Sequence, residues 1–152
     1  NLELLFPISR TEEEQWYEDM LAKPASEHAM VIEIKPPMQE DVFIPIGTCQ
    51  IFNFDWRNRS AEIGIMIGEK AFWDQGYGTE TMHLLIKHGF ETLNLHRLWL
   101  QVFAHNKRGI HVYEKVGFKS EGKFRQAHYL HGKYIDIHIM SILKNEWSEG
   151  LE

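Results

Sequence analysis

The run Gln75-Gly76-Tyr77-Gly78-Thr79 sets two glycines beside the start of a long amphipathic stretch. The first N–H groups of a helix have no intrahelical acceptor, and the helix dipole is positive there. Glycines let the backbone curl round an anion with no Cβ in the way, so this junction could hold a phosphate or pyrophosphate. A plain turn that opens a helix would use the same residues, and on the loop alone both readings stand. No Gly-Lys-Ser/Thr follows, which excludes a Walker A loop. A dinucleotide fingerprint fits badly too. A third glycine is missing, and the next strand runs into Phe103-Ala104-His105 where an acidic residue would be needed.

Other reactive side chains form no such pattern. His83 and His88 are five apart and do not share a helix face, while His128 and His131 flank a turn. There is no HExxH and no pair of cysteines, so no metal is expected. Cys49 is the single cysteine, which excludes an intrachain disulfide and suits a reducing compartment, with the cytoplasm as the expected location. At 152 residues, 43% hydrophobic and 25% charged, the chain is expected to be one domain over residues 1–152. No apolar run approaches the roughly 18–20 residues that span a bilayer, and no signal-peptide pattern opens the chain, so no membrane is expected as a partner. The net charge of -6, without a long basic stretch, argues against nucleic acid. It suits a cationic substrate, and equally it suits mere solubility.

The elements that must position the loop follow from periodicity. Thr11 and Glu14 have capping-box spacing, which predicts a helix with Trp16, Tyr17, Met20 and Leu21 on one face and a stop at Pro24. Strands are predicted over 28–35, 46–54 and 61–68, the last with Ala61, Ile63, Ile65 and Ile67 on one face. Residues 79–93 change to a helical period, with Met82, Leu85, Ile86, Phe90 and Leu93 as its stripe. A strand over 97–104 comes next, then a short helix over 107–116 capped by Asn106 and ended by Gly117. Strands over 118–126 and 133–143 close the chain across Gly132. The strand–helix–strand unit within 61–104, set among hairpins, makes the class α/β with a mixed sheet. Crossovers of this kind are right-handed and join parallel strands, so 61–68 and 97–104 should be parallel neighbours.

The runs AEIGIMIGEKAFWDQGYGTETMHLLIKHGF and LNLHRLWLQVFAHNKRGIHVYEKVGFKSEG resemble the core of the GNAT superfamily of N-acetyltransferases. Within it they resemble the branch of ribosomal-protein N-terminal acetyltransferases and spermidine acetyltransferases. The likeness extends to Asn106, Tyr113, Gly117-Phe118 and the Tyr129, Gly132, Tyr134, Asp136 and Met140 set, and covers most of residues 46–143. Trp73 departs from the family pattern, standing where glutamine or arginine is usual. No strand like the family's first one is seen before Thr11.

The resemblance implies a GNAT fold, with a mixed central sheet flanked by helices and splayed parallel strands at 61–68 and 97–104. It implies acetyl-CoA as co-substrate, its pantetheine arm lying between those strands, and an amine as acceptor, either a protein N-terminus or a small amine such as a polyamine. The backbone of Met66 and Ile67 would meet the arm. Gln75, Gly76, Tyr77, Gly78 and Thr79 would hold the pyrophosphate, and Asn106 would bond the pantetheine or its water. Tyr113 matches the family's general acid, against the alternative that it packs with Ile110. Glu62 is the candidate base, against a solvated glutamate at a strand end, with His105 as the other route. By the same likeness the chain would form a homodimer. A non-catalytic acetyl-CoA-binding regulatory domain is the other function these residues allow.

Overall fold

A computed structural model describes residues 9–36 and 42–149. In chain order the elements are α1 (Arg10–Leu21), β1 (Met30–Ile34), β2 (Ile44–Asp55), β3 (Ser60–Ile67), α2 (Tyr77–Lys87) and β4 (Arg97–Phe103). These are followed by α3 (Lys107–Lys115), β5 (Lys119–Leu130), β6 (Lys133–Leu143) and α4 (Lys144–Glu149). The strands make one six-stranded sheet in the order β1-β2-β3-β4-β6-β5. Every neighbouring pair is antiparallel except β3 and β4, which run parallel because α2 carries the chain over the sheet between them. The expected parallel pair is therefore present, with bounds within a residue of those read from the sequence.

Alternation along the strands decides which face is buried. Ala61 and Ile63 of β3, Leu98, Leu100 and Val102 of β4, and Met140 and Ile142 of β6 are all buried on one face. The α2 stripe of Met82, Leu85 and Ile86 covers that face, joined by Phe90 against the Trp147 ring of α4. Each such side chain contributes on the order of 1.5–3 kcal/mol when fully buried. The stripe is continuous, but the helix is not: α2 ends at Lys87 and the next five residues, His88–Thr92, form a wider π turn. That turn keeps Phe90 in the core and lets the chain drop onto β4.

The N-terminal helix is real, but its box lies two residues earlier than the spacing of Thr11 and Glu14 predicts. Ser9 is the cap, its hydroxyl accepting from the Glu12 N–H while the Glu12 carboxylate accepts from the Ser9 N–H. Both pairs have the same three-residue spacing, so spacing alone could not choose between them. No residue of α1 is buried, and Trp16, Tyr17 and Leu21 stay more than half exposed. The question of a strand before Thr11 concerns residues 1–8, which lie outside the described residues, as do residues 37–41 of the connector.

Gly47 of β2 sits against the end of β3, where an added Cβ would lie 2.0 Å from the Met66 carbonyl oxygen. Backbone cannot yield as a flexible side chain can, so Gly47→Ala should force β2 and β3 apart. We expect it to lower the unfolding free energy by about 3 kcal/mol, the upper end for overpacking, measured by urea denaturation. A change under about 0.5 kcal/mol would show that the strand ends tolerate separation.

Candidate active site

Strands β3 and β4 pair over only three positions: Ser60 with Arg97, Ala61 with Leu98 and Glu62 with Trp99. Beyond them β3 stays with β2 up to Ile67, while β4 stays with β6 up to Phe103. The two parallel strands thus part in a V, and their facing backbone edges open into a cleft of about 950 Å³. Ile65, Met66 and Ile67 form one wall, and Phe103, His105 and Asn106 the other.

The mouth of the V meets the N-terminus of α2. Gly76 is the helix cap with φ of +90°, a left-handed conformation that glycine adopts without the Cβ penalty. No side chain caps this helix, so the N–H groups of Tyr77, Gly78 and Thr79 have no intrahelical acceptor. All three residues line the cleft. A Cβ added at Gly76 would meet nothing within 4 Å, so open space lies over the cradle. Exposed N–H groups at a positive helix end, in open space, fit a pyrophosphate. Gln75 does not line the cleft, because its amide donates to the Ala71 carbonyl at 2.6 Å.

Four cations rim the same cleft: Lys70, Lys107, Arg108 and Lys115. They give it a positive edge in a chain whose net charge is -6. The Arg108 guanidinium lies 3.7 Å from the centre of the Trp73 ring, and the Trp73 indole N–H donates to the Ile67 carbonyl at 2.8 Å. Trp73 therefore ties the loop before α2 to the end of β3 and offers its ring face to α3. The sequence marked Trp73 only as a departure, and it marked none of the four cations. Their clustering comes from α3 standing opposite the loop, and no spacing along the chain announces it.

Tyr113, on the inner face of α3, lines the cleft and is 9% exposed. Burial pushes its phenol above the usual tyrosine value, and its ring packs against Phe118 with centroids 6.2 Å apart. Asn106 caps α3 as expected, its Oδ1 accepting from the Gly109 N–H at 3.0 Å. His105 stacks on the Phe103 ring at 5.6 Å and faces the cleft.

Glu62 lies apart from these residues, at the closed end of the V, and does not line the cleft. It is not the solvated glutamate that a strand end would allow, being only 7% exposed. Its carboxylate accepts from the Asn53 amide at 2.8 Å and from the Gln101 amide at 3.3 Å. Among the described residues no three His, Cys, Asp or Glu side chains gather to hold a metal ion, and no helix is long and apolar enough to cross a membrane.

A family model described as the acetyltransferase (GNAT) domain matches residues 4–119. An N-acetyltransferase called p20 in Bacillus licheniformis is 35% identical over 68% of this chain and 57% of its own length. A spermidine N(1)-acetyltransferase of Vibrio cholerae is 29% identical over 67% of this chain and 58% of its own length. The chain thus spans a little over half of the curated relatives it matches. A crystal structure of spermidine N-acetyltransferase from Vibrio cholerae, in complex with CoA and spermine, superposes with a TM-score of 0.81. It is 26% identical and covers 93% of this chain and 79% of that one. With its mixed sheet splayed at a single parallel pair and its glycine-capped helix at the mouth of the V, the chain belongs to the GNAT acetyltransferase family.

Proposed function

We propose that this protein transfers an acetyl group from acetyl-CoA to a primary amine, and that residues 1–152 act as one acetyltransferase domain. One observation carries the reading: the splayed β3–β4 edges and the uncapped α2 N-terminus line the same cleft. Exposed strand edges suit the amide-bearing pantetheine arm, Met66 and Ile67 on one side and Asn106 on the other. Tyr77, Gly78 and Thr79 suit the pyrophosphate, and the cationic rim suits the remaining phosphate charge. The Trp73 indole already takes the Ile67 carbonyl, so the arm is left chiefly the backbone of Met66 and the Ile67 N–H. A primary amine is favoured as acceptor because the carboxylate at the apex of the V suits an ammonium.

In this reading Glu62 takes the proton of the ammonium through a bridging water. The neutral nitrogen then attacks the thioester carbonyl carbon, the C–S bond breaks, and the leaving thiolate takes its proton from the Tyr113 hydroxyl. Burial of Tyr113 keeps the phenol protonated through neutral pH, which is the form an acid must have. Cys49 has no part in this. It is buried in β2, and burial raises its thiol above the ordinary value and so disfavours the thiolate. An inert, reduced thiol supports a cytoplasmic setting.

Release of thiol from acetyl-CoA, measured against spermidine, spermine, an aminoglycoside and a peptide with a free N-terminus, tests the reading directly. Tight CoA binding with no turnover on any amine would favour a regulatory CoA-binding domain. Gly78→Glu brings a negative side chain to the cradle while its Cβ would be 3.7 Å from the nearest atom, an ordinary contact. Its folding should be kept and its CoA binding abolished by calorimetry, and unchanged affinity would refute the cradle. For Tyr113→Phe we expect transfer to fall on the order of 10²-fold, with acetyl-CoA affinity unchanged. The wild-type alkaline limb set by this phenol should lie above the ordinary tyrosine range, since the acid is lost only as pH rises through its raised pKa. Glu62→Gln should also be slow but recover partly as pH rises, because the free amine then forms without a base. A Tyr113→Phe enzyme at full rate would remove the acid and leave the binding argument standing.

A further inference from the structure

The ladder between β2 and β3 is regular through Phe52 opposite Glu62 and resumes only at Asp55 opposite Ser60. Asn53 and Phe54 therefore face Ala61 alone, which is a bulge. In an unbroken ladder Asn53 would point away from the Glu62 face, toward the apolar side where Ala61 is fully buried. The bulge instead holds Asn53 at φ of +52°, a left-handed conformation that asparagine tolerates better than most residues. Its amide is thereby turned back to the Glu62 carboxylate, at 2.8 Å.

The second amide arrives from the other side. Gln101 lies two residues beyond Trp99, the last β4 residue paired with β3, so it stands where the strands have begun to separate. Its side chain spans the opening and donates to the other carboxylate oxygen of Glu62, at 3.3 Å. Each oxygen of Glu62 is thus held by an amide from a different flanking strand, and the carboxylate sits at the apex of the V. Neutral amides fix its direction without neutralising it, as an arginine or lysine would.

We propose that Asn53 and Gln101 are positioning residues for the deprotonation step, holding the Glu62 carboxylate at the apex of the splay where the acceptor ammonium arrives. The inference rests on Glu62 acting as the base. A second-row amide that only satisfied a buried carboxylate would affect stability. A positioning amide affects turnover, and only while Glu62 can act.

The test is a double-mutant cycle on the full chain, with thiol release read on the fastest acceptor among spermidine, spermine and a peptide N-terminus. Glycine adopts φ of +52° without strain, so Asn53→Gly keeps the bulge and removes only the amide. Its kcat should fall on the order of 10-fold with acetyl-CoA affinity unchanged, and Gln101→Met, losing the longer contact, should fall about 3-fold. In a Glu62→Gln background Asn53→Gly should cause no further loss. An Asn53→Gly enzyme at full rate beside a slow Glu62→Gln enzyme overturns this inference alone. An equal Asn53→Gly loss in both backgrounds also overturns it, because Asn53 then acts by another route. A Glu62→Gln enzyme at full rate overturns the base and the positioning together.

Discussion

Three residue pairs hold β3 to β4, and the rest of the site depends on their being so few. A longer parallel ladder would satisfy the facing backbone edges and close the sheet. A missing one would leave α2 with no fixed floor. The pairing ends at Glu62 and Trp99 because each strand follows its other neighbour, β3 turning with β2 and β4 with β6. Sheet twist accumulates between the two halves, and the parallel pair, the weaker kind of ladder, is where it is released.

Around that opening the chain places groups of opposite character. Helix α2 delivers an uncapped positive end and α3 delivers Lys107, Arg108 and Lys115, so the outer part of the cleft favours anions. The closed end carries the buried carboxylate of Glu62 between two neutral amides. An anionic donor and a cationic acceptor would thereby be drawn to different ends of one V. The Trp73 indole, bonded to the Ile67 carbonyl and stacked by Arg108, links the two helices' loops across the wide end.

Acidic residues elsewhere have other duties. Asp136 holds Lys123 and the Gln126 N–H at the second bulge of β5, and those bonds keep its carboxyl below the usual range. Glu146 does the same at the start of α4, where Lys119 and the Leu143 N–H lower it. Both pairs are exposed enough that solvent screening leaves each a small contribution to stability.

The sequence by itself determined everything that follows from local periodicity and backbone demands. The Met82, Leu85, Ile86 and Phe90 stripe, the Asn106 cap and the glycine-opened helix were readable because each is set by residues within a turn or two. The crossover rule then made β3 and β4 parallel neighbours. What the sequence could not show is where that pairing stops, since the end of a ladder is set by the competing pull of β2 and β6. The burial of Glu62, the side of β2 from which Asn53 reaches it and the gathering of Lys70 with Lys107, Arg108 and Lys115 all follow from that stop. Asn53 and Gln101 are 48 residues apart in the chain by number, and only a bulge on one strand and a splay beside the other bring both amides to one carboxylate.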